Sequence, residues 1–353
     1  MMLCASGIVV GYFYFITAPS KENKTVNIYV EKGSTYSTIS TLLKDNGLIR
    51  NEIAYKVYLK LNPVSDDTPL EYGDYVLKTN YDVEELIGVL KKGSVSLAET
   101  VKITFVEGKN IRYFVKKITE NFKICDNEIF EKLEDKEYLN TLIKDYWFLS
   151  DDIKNKDIYY SLEGYLFPDT YEFYESADID DIFRKMLDNF GKKIEPYKEA
   201  IESSKYSVHE LVTLASIIEL EAGGADRNSV SGVFYNRLKK GMTLGSDVTG
   251  YYGAKMDDWS KGLGEHVSDC NPYNTRGPNM EGKIPVGPIS SVSKSSIEAV
   301  VEPNDTNYLY FVADKNGKMY FTETNSEHLK KINELILDVQ WFARFYCLFL
   351  TFF

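Results

Sequence analysis

Two carboxylates, Glu219 and Glu221, close the apolar run LVTLASIIELEAG from Leu211 to Gly223. At about 100° per residue, side chains two apart leave a helix on opposite sides. Glu219 shares a face with Val212, Ala215, Ser216 and Gly223, while Glu221 points toward Leu214 and Ile217. The small neighbours leave room for a ligand, and the flanking Ile218 and Leu220 would bury the Glu219 carboxyl and raise its pKa. A carboxyl so placed suits general acid catalysis, although the helix pattern alone fits a solvated pair at a helix end equally well. A third acid, Glu163, sits in IYYSLEGYLFPDTYEFY (Ile158 to Tyr174), where seven aromatics surround Gly164 and Pro168-Asp169. That punctuation forces a turn, so the aromatics form either a plug between domains or a wall for stacking sugars.

Other chemistries find little support. The three histidines (His209, His266, His328) lack ligand spacing, and the four cysteines (Cys4, Cys125, Cys270, Cys347) are far apart. Neither a metal site, a disulfide framework nor a Ser-His-Asp hydrolase is expected, and no cofactor is called for. A net charge of −12 without a basic stripe argues against nucleic acid as a partner.

The 353 residues are enough for two or three domains of α+β class around these acids. Leu3 to Thr17, apolar and uncharged before the polar SKENK run, is expected to be an N-terminal membrane anchor within residues 1–20. It would make the chain a single-pass protein of the cell membrane, with its bulk on the extracytoplasmic side. From Val26 the pattern reads strand, helix, helix, strand. VKITFVEG (Val101 to Gly108) repeats VNIYVEKG (Val26 to Gly33), which predicts two related small units over 25–98 and 99–157. A main domain over 158–337 follows. In it, Asn236 and Arg237 end a helical stripe, Ser246, Asp247 and Thr249 occupy a turn-rich segment, and Asn271 to Ser293 forms a Pro- and Gly-rich loop able to line a groove. Tyr308 to Ala313 and Lys318 to Thr322 predict a hairpin. Residues 338–353 are hydrophobic and break sharply from the preceding composition, as an aberrant terminus would.

Three blocks, LEGYLFPDTYEF (Leu162 to Phe173), LASIIELEAGGADRNSVSGVFYNRLKKGMTLGSDVTGYYG (Leu214 to Gly253) and the segment from Pro272 to His328, resemble the MltG/YceG-like endolytic murein transglycosylases. The resemblance extends over nearly all of Val26 to Leu337. It implies a LysM-like α+β unit followed by a larger α+β catalytic domain with a glycan-binding groove. The implied activity is cleavage of nascent peptidoglycan strands between N-acetylmuramic acid and N-acetylglucosamine, leaving 1,6-anhydro-muramyl ends. Glycan strands would be the substrate and peptidoglycan synthases the partners. The family's catalytic glutamate falls on Glu219, acting as acid and then as base, with Glu221 and Arg237 in support. Asn236, Ser246, Asp247, Tyr273, Asn274 and Thr275 would line the groove, and Glu163 would close one side. Three places depart from the family pattern. A basic residue after the catalytic glutamate is Leu220 here, a Gln-Thr-Asp-Pro-Thr run reads Gly245 to Thr249, and a Leu-Pro-Pro-Gly-Pro-Ile run ending in Asn-Pro reads Ile284 to Val292. A peptidoglycan-binding or scaffold protein without activity is the competing expectation.

Overall fold

Strict alternation in Thr25–Val30 (β1) turns Ile28 and Val30 inward and leaves Asn27 and Tyr29 exposed, as a half-buried strand requires. The structure, a computed structural model, describes residues 12–65, 68–94, 100–175, 177–222 and 226–336. It divides into two compact units, Met1–Thr100 and Val101–Phe353.

In the first unit a short helix at residues 12–16 (α1) precedes β1. Helices Ser40–Asp45 (α2) and Glu52–Leu61 (α3) follow, then strand Gly73–Lys78 (β2) and helix Val83–Leu90 (α4). β1 and β2 pair antiparallel from Thr25 opposite Lys78 to Val30 opposite Gly73. Leu43, Tyr55, Tyr75, Leu77 and Leu86 fill the core beneath them. α4 starts in a capping box of Asp82 and Glu85, which satisfies two donors at its first turn.

Among the described residues no helix is long and apolar enough to cross a membrane. The expected single-pass anchor over 1–20 is corrected accordingly, and with it the membrane contact and the membrane location drawn from it. A helical span needs about 20 apolar residues, and among the described residues α1 occupies 12–16. Its end is bonded to a charged group of the first unit. The Arg50 guanidinium donates to Tyr14 O (2.8 Å) and Thr17 Oγ1 (2.6 Å) and stacks on the Tyr14 ring. The first eleven residues of that segment lie outside the described residues, as do those of the C-terminal stretch 338–353.

Strand Thr100–Thr104 (β3) straddles the start of the second unit at Val101 and pairs with Thr170–Tyr174 (β4). Between them run Ile111–Asn121 (α5), Asp126–Glu134 (α6) and Lys136–Asp145 (α7). Beyond β4 come Ile179–Ile194 (α8), Lys198–Glu202 (α9), Val208–Glu221 (α10), Arg227–Lys239 (α11), Asp247–Gly253 (α12) and Lys294–Val301 (α13). Tyr310–Ala313 (β5) and Met319–Thr322 (β6) form an antiparallel hairpin, and residues 325–336 are helical. The division drawn at 157/158 from the sequence falls inside one core, in which Ile103, Phe114 and Leu142 join Tyr165, Phe190 and Ile217. β3 finds its partner 70 residues away, on the far side of that division.

α10 is the central element. Leu211 through Ile218 are buried without interruption, the mark of a helix enclosed on all sides rather than amphipathic. Its polar residues are satisfied internally. Thr213 Oγ1 donates to His209 O, Ser216 Oγ donates to Thr213 O (both 2.7 Å), and Ser216 Oγ accepts from Ile289 N (3.0 Å). Ser290 Oγ donates to Ser216 O (3.1 Å), so the Pro-rich loop docks along the helix. Gly164 permits this close approach. At φ +82°, a Cβ there would sit 2.6 Å from Pro288 Cβ and 2.9 Å from Val212 Cγ1.

Candidate active site

α10 delivers Glu219 to the N-terminus of α13. Ser293 is the N-cap of α13, its hydroxyl accepting from Ser296 N (3.2 Å). Glu219 Oε2 accepts from Ser293 N (3.0 Å), Ser293 Oγ (2.5 Å) and Ser296 Oγ (2.6 Å). Glu219 Oε1 accepts from Arg227 Nη2 (3.1 Å), at the start of α11, while Arg227 Nε donates to Ser296 Oγ (3.0 Å). The glutamate side chain is only 6 % exposed. Burial alone would push its carboxyl up, but the Ser293 and Ser296 hydroxyls, the Ser293 amide and the Arg227 charge together hold it below the usual carboxylate range. The raised value expected from flanking apolar residues is therefore reversed. The face of small residues is occupied by hydrogen-bond donors, and the positive end of α13 adds to them.

Glu221 leaves α10 on the other side, as the two-residue spacing demands, and accepts from Ser246 Oγ (2.5 Å). Burial pushes its carboxyl up, against the opposing Ser246 bond. Around it the predicted groove residues form a connected set. Ser246 N donates to Thr275 Oγ1 (2.9 Å), which also lies 2.9 Å from Thr249 Oγ1. Asp247 pairs with Arg276 at the surface. Asn274 is almost wholly buried and donates to the carbonyls of His266, Val267 and Asp269, fixing the loop before it.

The remaining predicted residues lie in other settings. Asn236 Nδ2 donates to Thr306 O (2.7 Å) and Tyr308 O (3.0 Å), and Arg237 bridges Leu309 O and Leu244 O, so both tether the approach to β5. Tyr273 has no exposed surface, and its hydroxyl accepts from Tyr159 N (3.0 Å). Glu163 is likewise buried. Its carboxyl accepts from Ile111 N at the first turn of α5 (3.0 and 3.1 Å) and from Tyr252 OH (2.9 Å). Burial pushes it up to about 7 despite those bonds and the nearby Arg112.

The structure thus groups Glu221, Ser246, Asp247, Asn274 and Thr275 on one side of α10 and sets Glu219 on another, with partners the sequence did not nominate: Ser293, Ser296 and Arg227. The signal for Ser293 was available as an N-cap serine before the helical run IEAVV. Nothing in the sequence indicated that this cap faces Glu219.

Comparison with known proteins gives one consistent result. The model of the YceG-like family matches residues 28–334. The chain is 38 % identical to the endolytic murein transglycosylase of Bacillus subtilis (strain 168), across 88 % of this chain and 85 % of that one. It is 30 % identical to the endolytic murein transglycosylase of Streptococcus pneumoniae (strain D39), across 95 % of this chain but 63 % of that longer protein. A crystal structure of a yceG-like protein from Listeria monocytogenes superposes with a TM-score of 0.61 at 32 % identity, covering 88 % of this chain and 99 % of that one.

Proposed function

From the premise that this chain belongs to the YceG-like family, we propose that it is an endolytic murein transglycosylase with Glu219 as its catalytic carboxylate. The observation that carries this reading is the constellation on Glu219: a carboxylate at the end of a buried helix, gripped by the N-terminus of α13 and by Arg227, in a chain whose relatives bear that activity in their names. The substrate is the peptidoglycan glycan strand, cut internally between N-acetylmuramic acid and N-acetylglucosamine. The C6 hydroxyl of the muramyl residue attacks its own C1, the glycosidic bond breaks, and a 1,6-anhydro end is left without consumption of water.

An ionised Glu219 fits one half of this chemistry directly. A carboxylate held by four donors can face the positive charge that develops at C1 and accept the proton of the C6 hydroxyl. The other half, protonation of the leaving oxygen, requires a carboxyl that carries a proton. Glu221, Ser246, Asp247 and Thr275, joined on the other side of α10, would hold the strand. The set is wired for rigidity, as a site that must position a polymer within a fraction of an ångström demands.

Digestion of purified peptidoglycan by the full chain, followed by mass spectrometry, tests the reading. Fragments with anhydro-muramyl ends are expected, and Glu219→Gln should lower their yield by about 10²-fold or more. Fragments with reducing ends instead, or an unimpaired Glu219→Gln, would mean that the reaction class or the residue is wrong. Retained strand binding without any cleavage would favour a scaffold protein.

A further inference from the structure

Val248, Thr249, Gly250, Tyr252 and Gly253 of α12 are buried, which leaves Asp247 and, one turn on, Tyr251 as its outer stripe. At 1.5 Å per residue the stripe runs about 6 Å from the groove set, and it leads to a second aromatic ring. Trp259 stacks on Tyr251, with ring centroids 5.6 Å apart and planes 26° from parallel, and is 44 % exposed. A single exposed apolar residue is commonplace and needs no explanation. Trp259 differs because the loop that carries it is held at several points. Two residues earlier, Asp257 accepts from Asn110 Nδ2 (2.8 Å), Arg112 Nε (3.1 Å) and Arg112 Nη2 (2.6 Å). Asp258 caps the one-turn 3-10 helix Trp259–Lys261, accepting from Ser260 N (3.2 Å) and Ser260 Oγ (2.6 Å). Tyr251 OH donates to Trp259 O (3.2 Å). Farther along, Leu263 lies on α12, where a Cβ at Gly250 would come within 3.1 Å of its Cδ1, and Asn274 of the groove set holds the carbonyls of His266, Val267 and Asp269. A large apolar ring is thus kept at the surface by a loop already bonded in place, which leaves little freedom for a ligand to freeze.

We propose that Trp259 and Tyr251 form a stacking platform for a pyranose ring of the glycan strand, continuing the groove beyond Asp247. This rests on the transglycosylase reading for the identity of the strand. A pyranose carries C–H bonds on its face and hydroxyls on its rim. The aromatic face of Trp259 suits the first. The Asp247–Arg276 pair, whose side chains are 56 % and 43 % exposed, offers an acceptor and donors for the second. A flat, ring-sized surface favours the sugar backbone of the strand over its peptide stems, which present no such ring. Stacking there holds the strand without touching the bond that breaks, so it strengthens the bound ground state and the transition state alike.

The experiment measures binding of peptide-free glycan strands by the full chain, carrying Glu219→Gln so that the strands stay whole, by isothermal titration calorimetry. Adding Trp259→Ala should weaken binding by about tenfold or more. Trp259→Phe, which keeps an aromatic face, should recover most of the loss, and Trp259→Leu, which keeps apolar bulk without a ring, should not. With Glu219 intact, Trp259→Ala should raise KM by a similar factor while kcat stays within about twofold. Equal affinity with and without Trp259→Ala overturns the platform. Full recovery by Trp259→Leu, with every variant folded by thermal melt, overturns it too, and so do strands that bind none of the proteins. The two readings fail separately. Ring-dependent binding by a chain that releases no anhydro ends keeps the platform and removes the reaction, whereas anhydro ends with binding indifferent to residue 259 remove the platform alone.

Discussion

Glu219 and Glu163 are both carboxylates withdrawn from water, and the second unit treats them in opposite ways. Glu163 receives only uncharged donors, the Ile111 and Gly164 amides and the Tyr252 phenol, and burial prevails, pushing it up to about 7. Glu219 receives an amide, two hydroxyls and a guanidinium, and the donors prevail, holding it below the usual range despite burial. A guanidinium is near both. At Glu163, however, Arg112 commits Nε and Nη2 to Asp257 (3.1 and 2.6 Å), so it supplies only a field. At Glu219, Arg227 bonds the carboxylate itself. The contrast teaches that the number and charge of donors, more than depth, decides which buried acid stays ionised.

The largest test of this contrast is Arg227→Ala. Removing one partner of a pair whose side chains are 16 % and 6 % exposed should cost about 3 kcal/mol or more in urea unfolding at neutral pH. Because Glu219 lies below its unfolded value, it contributes stability above pH 4.5 that is lost as pH falls through its folded pKa. In Arg227→Ala that acid loss should be smaller and complete at a higher pH, because the folded pKa moves back toward the unfolded one; an unmoved profile would remove Arg227 from the explanation. Next in size is Glu163→Gln. A carboxyl raised from 4.5 to about 7 favours the folded state most below pH 4.5 and gives up about 3 kcal/mol as pH climbs from there to 7. The amide variant should lack this slope in a series of thermal melts, and retention of the slope would place its origin elsewhere. Ser293→Ala is the smallest. It deletes one donor to Glu219 and the cap of α13, for about 1–2 kcal/mol, and should raise the Glu219 titration midpoint followed by carboxyl ¹³C NMR.

The sequence carried the local features well. α10 was visible from its apolar run, β1 and β2 from alternation, and the β5–β6 hairpin from the Asp314 to Gly317 turn. These are short-range patterns, set by neighbours within a few residues. Legibility ended where chains distant in sequence meet. β3 pairs with β4, Ile111 N finds Glu163 across 52 residues, and Ser293 finds Glu219 across 74. The pKa direction of Glu219 was misjudged for that reason. Its flanking isoleucine and leucine are legible in α10, but the four donors that outweigh them come from two other helices.

One measurement inside α10 bears on how this chain tolerates change in length. Ser216 is bound by Ser290, and three residues later Glu219 is bound by Ser293. Helix and loop therefore advance in step, residue for residue, like two matched scales. Along the helix that interval is about 4.5 Å, whereas three extended residues reach about 10 Å, so the loop crosses it folded rather than taut. Substitutions at Ser291 or Val292 leave the count intact. A single insertion or deletion between them would shift the scale by one mark, bring the wrong residue to Glu219, and silence the site while the rest of the fold remained assembled.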